Sequence, residues 1–239
     1  MTQRIVLVTG ASRGIGRAAA RAIAKTGAHV IAVARTSGGL EDLDDEIKQD
    51  GGEGATLVPM DLRNFDGIDQ LGASIHERWG RLDGVFGNAG ALGELSLLTH
   101  LAPKMWTEAI ELNVTTNFRL IRSLDPLLRK SDAGRAVFVT SGAARKHTPY
   151  WGSYAVTKAA LESLVLTYAA ECESTNIKVN LFSPGPLRTR MRARAMPGED
   201  PKSLQPPEVV APLIVEMLSP AFTQNGALID YRQTGSSTS

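Results

Sequence analysis

Short apolar runs rich in β-branched residues alternate with helical patterns along almost the whole chain. The alternation begins with RIVLVT and RGIGRAAARAIAKTG and continues through HVIAVA, ATLVPM, AVFVTS and IKVNLFS to a helical pattern near 206–218 and a last run, GALIDY. Apolar runs separated by helices indicate buried parallel strands joined by right-handed crossovers. The sequence therefore predicts an α/β fold: a doubly wound parallel sheet of about seven strands with helices on both faces.

The length of the chain favours one domain over residues 1–239. A chain of 239 residues is long for one small domain and short for two. No linker or internal repeat divides it, and the one low-complexity segment is the polar tail at about 233–239.

Composition argues against several classes of protein. The formal net charge of +1 gives no general reason to bind nucleic acid or a membrane surface, and no apolar run approaches the ~18 residues of a membrane span. The single cysteine, Cys172, suits a reducing compartment, and MTQRIVLVTG enters a strand without a leader, so we predict a cytoplasmic protein. The four histidines lack metal-ligand spacing, so no metal site is predicted.

A glycine-rich turn follows the first predicted strand. Residues 9–16 read TGASRGIG, which places Gly10, Gly14 and Gly16 between the strand and the next helix. Glycines at such a turn let the backbone approach a pyrophosphate, which then lies at the positive end of the helix. The alternative is that they only permit close packing. The position directly after the first strand favours a nucleotide.

The turn is one of several motifs that follow one another in a set order. The others are NAG at 88–90, Asn113, Ser141, Tyr154 with Lys158, and PG at 184–185. In these motifs the chain resembles the short-chain dehydrogenase/reductase family, and Ser141 thirteen residues before Y-x-x-x-K is the most specific of them. The resemblance implies a single Rossmann domain, a nicotinamide cofactor and redox chemistry between a carbonyl and an alcohol.

The predicted catalytic residues are Asn113, Ser141, Tyr154 and Lys158. Tyr154 and Lys158, four residues apart, share one helical face. A nearby ammonium lowers the pKa of a tyrosine from ~10, so Tyr154 is expected to exchange a proton with the substrate oxygen. Ser141 would hydrogen-bond that oxygen where charge develops. The resemblance also implies that Lys158 binds the ribose hydroxyls of the nicotinamide half of the cofactor. It further implies that Asn113 holds a water molecule that passes protons to Lys158.

An isolated Tyr/Lys pair is more often a solvated helix face, but the matched Ser141 and the glycine turn favour catalysis. Tyr150 is also four residues from Tyr154, but no lysine follows it at that spacing. We expect Tyr150 and Trp151 to form pocket wall or packing.

The resemblance also implies a set of cofactor contacts in the glycine turn, at the ends of strands and after the NAG and PG motifs. The set comprises Gly10, Ser12, Arg13, Gly14, Ile15, Gly16, Arg35, Asp61, Leu62, Asn88, Ala89, Gly90, Tyr154, Lys158, Pro184, Gly185, Leu187 and Thr189. In the family, Asp61 and Leu62 would contact the adenine, and Thr189 the nicotinamide amide. The family usually has Asn where this chain has Gly87.

The end of the second strand favours NADP(H). NAD-preferring relatives carry an acidic residue there that binds the ribose 2′-hydroxyl, whereas this chain has Ala34 followed by Arg35. An arginine pairs with a 2′-phosphate in a fork geometry, and Arg13 can reach the same phosphate. The alternative is that Arg35 is only solvated at the end of the strand, in which case NAD(H) remains a possible cofactor.

The segment at about 186–205 is predicted to be a lid over the substrate site. Its arginines, Arg188, Arg190, Arg192 and Arg194, could attract an anionic substrate such as an acid or a coenzyme A thioester. The alternative is a solvated lid face, because alternate positions diverge around a helix axis.

The C-terminal stretch GALIDYRQ departs from the family pattern. It lacks the glycine pair that usually follows the aspartate of the last strand, here Asp230, and the chain ends soon afterwards. Relatives use this region for subunit contacts or to close the substrate pocket. An open site or an altered oligomer is therefore expected.

Three functions remain open. The first, which we favour, is an NADP(H)-dependent reductase or dehydrogenase of a small carbonyl/alcohol pair. The second is a 3-ketoacyl-carrier reductase of fatty-acid synthesis, which Glu171 and Glu173 near the expected docking site for an acidic carrier protein disfavour. The third is a cofactor-binding sensor without turnover, which would not need Ser141, Tyr154 and Lys158.

The partners predicted are a small-molecule substrate and a second copy of the chain. The helix carrying Tyr154 has apolar residues all round, and the long helical stretch near 103–130 precedes it. One side of this helix can pack on the sheet, and a symmetry-related helix of a second copy can cover the rest. We therefore expect a homodimer or homotetramer. The alternative is that helices of the same chain bury every apolar residue.

Overall fold

The structure is a computed structural model and describes residues 3–234, so most of the predicted polar tail lies outside the described residues. One parallel sheet forms its centre. The strands are β1 (Ile5–Thr9), β2 (His29–Ala34), β3 (Ala55–Pro59), β4 (Gly84–Gly87), β5 (Arg135–Val139), β6 (Lys178–Ser183) and β7 (Leu228–Asp230). Their order is β3-β2-β1-β4-β5-β6-β7, with every pair parallel. The prediction of a doubly wound parallel sheet of about seven strands is confirmed.

Helices connect the strands on both faces of the sheet. They are α1 (Gly14–Lys25), α2 (Ser37–Gln49), α3 (Phe65–Trp79), α4 (Pro103–Ile110), α5 (Thr116–Leu128), α6 (Gly152–Glu171), α7 (Arg190–Ala195), α8 (Ala211–Met217) and α9 (Tyr231–Thr234). Short 3₁₀ turns occupy Leu98–His100, Gly142–Arg145, Pro201–Ser203 and Pro207–Val210.

Successive residues of each strand point to opposite faces of the sheet, so each face has its own core. In β5, Phe138 packs in the core under α3, α5 and α6, while Val137 packs in the core under α1, α2 and α8. Leu7 and Val8 of β1 divide in the same way. Burial on both faces explains why these strands read as continuous apolar runs.

The strand order reverses beside β1, which pairs with β2 on one side and with β4 on the other. In open α/β sheets, ligands bind in the crevice outside the carboxyl ends of the strands at such a switch point. The glycine turn follows the carboxyl end of β1, and the NAG motif follows the carboxyl end of β4. Both predicted cofactor motifs therefore lie at this crevice.

The helical stretch near 103–130 contains a π-helical turn at Glu111–Thr115, between α4 and α5. The backbone N–H of Thr116 bonds to the carbonyl of Glu111, five residues earlier. The turn contains Asn113, and π turns inside α-helices occur frequently at functional sites.

Among the helices of residues 3–234, none combines the length and the apolar character needed to span a membrane. The same part of the chain contains no group of three or more His, Cys, Asp or Glu side chains that could hold a metal ion.

Candidate active site

A cavity of about 460 Å³ opens at the carboxyl edge of the sheet. It lies between the glycine turn, the end of β5, the start of α6 and the segment that follows β6. The predicted site residues that line it are Ile15, Asn88, Gly90, Ser141, Tyr154, Lys158, Pro184, Gly185, Leu187 and Thr189. Those outside the lining are Gly10, Ser12, Arg13, Gly14, Gly16, Arg35, Asp61, Leu62, Ala89 and Asn113.

The glycine turn is closed tightly enough to exclude side chains. Gly10 and Gly14 have φ of +66° and +55°, a left-handed conformation that favours glycine. A Cβ on Gly16 would lie 2.3 Å from the Gly10 carbonyl oxygen and 2.6 Å from Asn88 Nδ2. At the start of α1, Arg13 is extended and makes no side-chain cap, so the first N–H groups of the helix remain available to an anion.

The NAG segment is held against the same turn by Thr9 of β1. Thr9 Oγ1 accepts hydrogen bonds from the backbone N–H groups of Asn88 and Ala89, both at 3.0 Å. The Asn88 amide donates to the Thr9 carbonyl at 3.0 Å. The two predicted cofactor motifs are thus one hydrogen-bonded unit.

The glycine turn and the end of β2 each present an exposed cation. Ala34 is buried, whereas Arg13 and Arg35 are exposed, and neither guanidinium has a hydrogen bond or ion pair with another residue in 3–234. Both cations can therefore pair with an anionic ligand at this edge.

Asp61 and Leu62 are fixed in different ways after β3. Hydrogen bonds from Arg63 hold the pKa of the Asp61 carboxyl down at about 2, with a smaller contribution from the charge of Arg35. Leu62 is buried, and its carbonyl accepts from Thr116 Oγ1 at 2.9 Å.

Tyr154 and Ser141 meet inside the cavity. Both side chains line it, and Ser141 Oγ accepts from the backbone N–H of Ala143 at 3.2 Å. Burial raises the pKa of Tyr154 above its ordinary value, and the nearby Ser141 hydroxyl opposes that shift. Burial is the largest cause of the shift, and the tuning of the Tyr154 pKa by Lys158 stays a prediction.

Lys158 is anchored on the end of β5. Its ammonium donates to the carbonyl of Val139 at 2.8 Å and lies 5.8 Å from the centre of the Tyr154 ring. Burial lowers the pKa of Lys158 to about 8, while the charge of Glu162 raises it. Glu162 is itself held by Thr140, whose hydroxyl donates at 2.7 Å, and by Arg145.

Asn113 is fully buried in the π turn and clamps the segment after β4. Its Oδ1 accepts from the N–H of Ala91 at 2.8 Å, and its Nδ2 donates to the Ala91 carbonyl at 2.8 Å and to Thr157 Oγ1 at 2.9 Å. A Cβ on Gly90 would lie 3.1 Å from Asn113 Oδ1 and 3.5 Å from Lys158 Nζ. Asn113 therefore lies close to Lys158, while its role in proton relay stays a prediction.

Gly87 stands where the family usually has Asn, and the structure gives a reason for the difference. A Cβ at this position would lie 2.4 Å from Phe138 Cδ1, so the ring of Phe138 fills the space of a side chain. The neighbouring Asn117 donates its amide to the Asn113 carbonyl at 2.8 Å.

Trp151 and Tyr150, the two aromatic residues before Tyr154, differ in their position relative to the cavity. Trp151 lines the cavity, and its ring is in edge contact with Tyr154 at 6.0 Å between centroids. Tyr150 is 57% exposed, has φ of +72° and lies outside the lining. The interpretation of Tyr150 as pocket wall or packing is therefore wrong.

The predicted lid segment contributes both apolar and polar residues. Thr189 caps α7 by accepting from the N–H of Arg192 at 3.2 Å. Arg192 pairs with Glu199 at 2.6 Å, and Arg194 donates to the carbonyl of Gly93 at 3.2 Å. Two of the four alternating arginines are thus held by the protein itself.

Sequence reasoning missed part of the lining. Lys146 comes from the 3₁₀ turn region after β5, and Arg232 comes from α9 at the C-terminal end of the described chain. No pattern in the sequence marks either residue, because both approach the cavity only through the folding of distant segments.

The chain matches the family model described as short chain dehydrogenase over residues 4–200. It therefore belongs to the short-chain dehydrogenase family, as its fold and the Ser141, Tyr154 and Lys158 arrangement indicate. The predictions of this family and of an oxidoreductase are confirmed.

The relatives include YciK, an uncharacterised oxidoreductase of Escherichia coli (strain K12). The two are 38% identical over 220 residues, which cover 91% of this chain and 87% of that protein. A 3-oxoacyl-(acyl-carrier-protein) reductase of Synechocystis sp. is 34% identical over 192 residues, covering 80% and 77%. A solved short chain dehydrogenase from Shigella flexneri, complexed with NADP, has a TM-score of 0.92 and 36% identity, covering 97% and 98% of the two chains.

Proposed function

We propose that this protein is an NADP(H)-dependent oxidoreductase that interconverts a small carbonyl compound and its alcohol, with Tyr154 as the general acid and base. The observation that carries the proposal is the meeting of Tyr154 and Ser141 in one cavity lining, with Lys158 one helical turn away. A bound nicotinamide ring would supply or accept the hydride. The chain itself holds the substrate oxygen and moves the proton.

The protonation of Tyr154 suits reduction of a carbonyl. Because burial raises its pKa, the phenol stays protonated at neutral pH and can donate its proton to the substrate oxygen. Ser141 donates a hydrogen bond to the same oxygen where negative charge develops. Lys158, anchored on the Val139 carbonyl, holds a positive charge beneath the tyrosine and would bind the ribose hydroxyls.

Several features support NADP(H) over NAD(H). The acidic residue that would bind a free ribose 2′-hydroxyl is replaced by Ala34, and the exposed guanidinium groups of Arg13 and Arg35 suit a 2′-phosphate. The uncapped start of α1, next to Gly10 and Gly14, suits a pyrophosphate. The related Shigella flexneri protein is complexed with NADP.

A second candidate function is reduction of 3-oxoacyl chains on a carrier protein, because a relative from Synechocystis carries that name. Carrier proteins are acidic, and the end of α6 exposes Glu171 with Glu173 shortly after it. Like charges at a docking surface weaken association. A carrier protein that competes with the turnover of a free carbonyl substrate would support this second candidate.

The direct test is a screen of carbonyls with NADPH and of alcohols with NADP, following the absorbance of the reduced cofactor. We expect turnover of at least one small carbonyl, and tighter binding of NADP(H) than of NAD(H) in a parallel fluorescence titration. A protein that binds cofactor but turns over no compound in either direction would be a sensor, contrary to the proposal.

The proposal extends to a homodimer or homotetramer built on α4, α5 and α6. We call Trp106, Phe118, Val156 and Leu166 the association patch; their side chains are 37–48% exposed. Helix α6, which carries Val156 and Leu166, packs beside α4, which carries Trp106, and beside the π turn that precedes α5. Ala159, Ser163 and Ala170 are exposed on the same stripe of α6, and such small residues let a second helix approach closely.

Sedimentation at micromolar concentration tests the association patch. We expect a species of at least twice the chain mass of 25.6 kDa, because an exposed apolar patch is best buried by a second copy of itself. Val156→Glu should shift the species toward the monomer, whereas Gln49→Glu, on an exposed position of α2 on the other face of the sheet, should shift it less. A single 25.6 kDa species for the unmodified chain would contradict the assembly.

A further inference from the structure

Arg232 connects the two segments that bear on the reacting atoms. It lies at the start of α9, and its aliphatic part packs on the turn after β6: a Cβ on Gly185 would lie 3.1 Å from both Arg232 Cγ and Cδ. A Cβ on Gly142, the residue after Ser141, would lie 3.9 Å from Arg232 Nη2. The guanidinium therefore lines the cavity beside the segment that carries Ser141.

Asp230 fixes the direction of this guanidinium. The Asp230 carboxylate is buried and accepts from Arg232 Nε at 3.1 Å, from Nη2 at 2.8 Å and from the backbone N–H at 3.1 Å. These bonds use only one edge of a group that has five N–H donors. The two N–H groups of Nη1 have no acceptor among residues 3–234, so a fixed donor edge remains for a ligand.

The cavity suits an anion as a whole. The charged side chains in its lining are Lys146, Lys158, Arg192 and Arg232, and no Asp or Glu of the described chain lines it. Lys146 is exposed and has no ion pair within residues 3–234, so it adds an uncompensated charge at the rim. Much of the remaining wall is apolar and includes Leu92, Trp151, Met191 and Met196.

The lid arginines are less suited to bind the substrate. Arg188 and Arg190 lie outside the lining, and Arg194 donates to the Gly93 carbonyl. Arg192 lines the cavity, and its ion pair with Glu199 uses Nε and Nη2, as the pair of Arg232 with Asp230 does. Arg232 differs by its place: its Nη2 lies 3.9 Å from the position of a Cβ on Gly142, the residue after Ser141.

We propose that Arg232, oriented by Asp230, binds a carboxylate of the substrate, so that the carbonyl compound reduced here is a short oxo acid. This assignment rests on the proposed function and names its substrate class. In the step, the carbonyl carbon gains the hydride of the reduced cofactor, the carbonyl oxygen gains the proton of Tyr154, and the carboxylate stays unchanged on Arg232. Lys146 offers a second cation to longer acids.

The test compares a series of short oxo acids with their methyl esters as substrates of the full chain with NADPH. We expect the acids to be preferred. Arg232→Gln should raise the KM for the acids by about tenfold or more, which corresponds to loss of a charge-assisted contact, and leave the esters unchanged. Arg190→Gln, an exposed lid arginine outside the lining, is the matched control and should change neither.

Cofactor affinity and the comparison of acids with esters distinguish a substrate role of Arg232 from a role in cofactor binding. NADPH affinity should be the same in Arg232→Gln as in the unmodified chain; a fall would assign Arg232 to the cofactor phosphates and overturn the proposal. Esters used as well as acids, or acids and esters impaired equally in the variant, would also overturn it.

Binding of an oxo acid can be measured independently of turnover, as the rise in melting temperature that the acid causes in the presence of NADP. If no carbonyl is turned over, the proposed function fails, and stabilisation by the acid that is lost in Arg232→Gln still decides whether this anion site exists. Absence of stabilisation in the unmodified chain would refute the site.

Discussion

Tyr154→Phe is expected to lower turnover by about 10²–10⁴-fold, the usual contribution of general acid-base catalysis. The substitution removes the only group of this side chain that can donate a proton, and the phenylalanine ring keeps the contact with Trp151. Ser141 remains hydrogen-bonded to the N–H of Ala143, so the 3₁₀ turn after β5 should keep its form. Cofactor affinity should therefore change little, and steady-state kinetics with a cofactor titration would show both results.

Tyr150→Phe is the matched control for this experiment. It makes the same chemical change four residues earlier, at an exposed side chain outside the cavity lining, and should leave turnover nearly unchanged. Retention of more than about half the activity in Tyr154→Phe would remove Tyr154 from the role of proton donor. An equal loss of cofactor binding would indicate a misfolded variant.

Ala34→Asp combined with Arg35→Ala should move the preference from NADP(H) toward NAD(H). The arginine contact to a 2′-phosphate is worth roughly 1.5–3 kcal/mol, or about one to two decades in affinity, and the new carboxylate would repel the phosphate while binding a free hydroxyl. Titration of both cofactors against both proteins gives the ratio directly.

Arg35→Ala alone serves as the control for the double variant, because it removes the attraction without adding the repulsion. Ala34 is buried, so a melting curve is needed to show that the aspartate is tolerated. If the unmodified chain already binds NAD(H) more tightly, or the ratio is the same in all three proteins, the argument from the end of β2 is wrong.

The sheet could be predicted because its strands are buried on both faces. A run such as HVIAVA has no polar alternation, and Val30 and Ile31 each lie fully buried in opposite cores. The glycine turn was predictable for a similar reason: Gly16 stands where any side chain would meet the backbone of Gly10. In both cases a local physical constraint selects the residue type.

The features that sequence reasoning missed depend on distant contacts. The direction of the Tyr154 pKa follows from how deeply the hydroxyl is buried. Arg232 reaches the cavity because Asp230 holds it and Gly185 leaves room for it. Neither arrangement has a periodicity or a spacing that could be recognised in the chain.

The π turn also sets the helical phase between α4 and α5. Trp106 and Phe118 are twelve residues apart, and at about 100° per residue an unbroken α-helix would place them about 120° apart around its axis. The one extra residue accommodated by the turn takes up about 100° of this difference and brings the two exposed aromatic rings nearly into line. Asn113, which bonds to Ala91, lies within this same turn. One inserted residue thus serves both the site and the outer surface, where it would align Trp106 and Phe118 of the association patch for contact with a second copy of the chain.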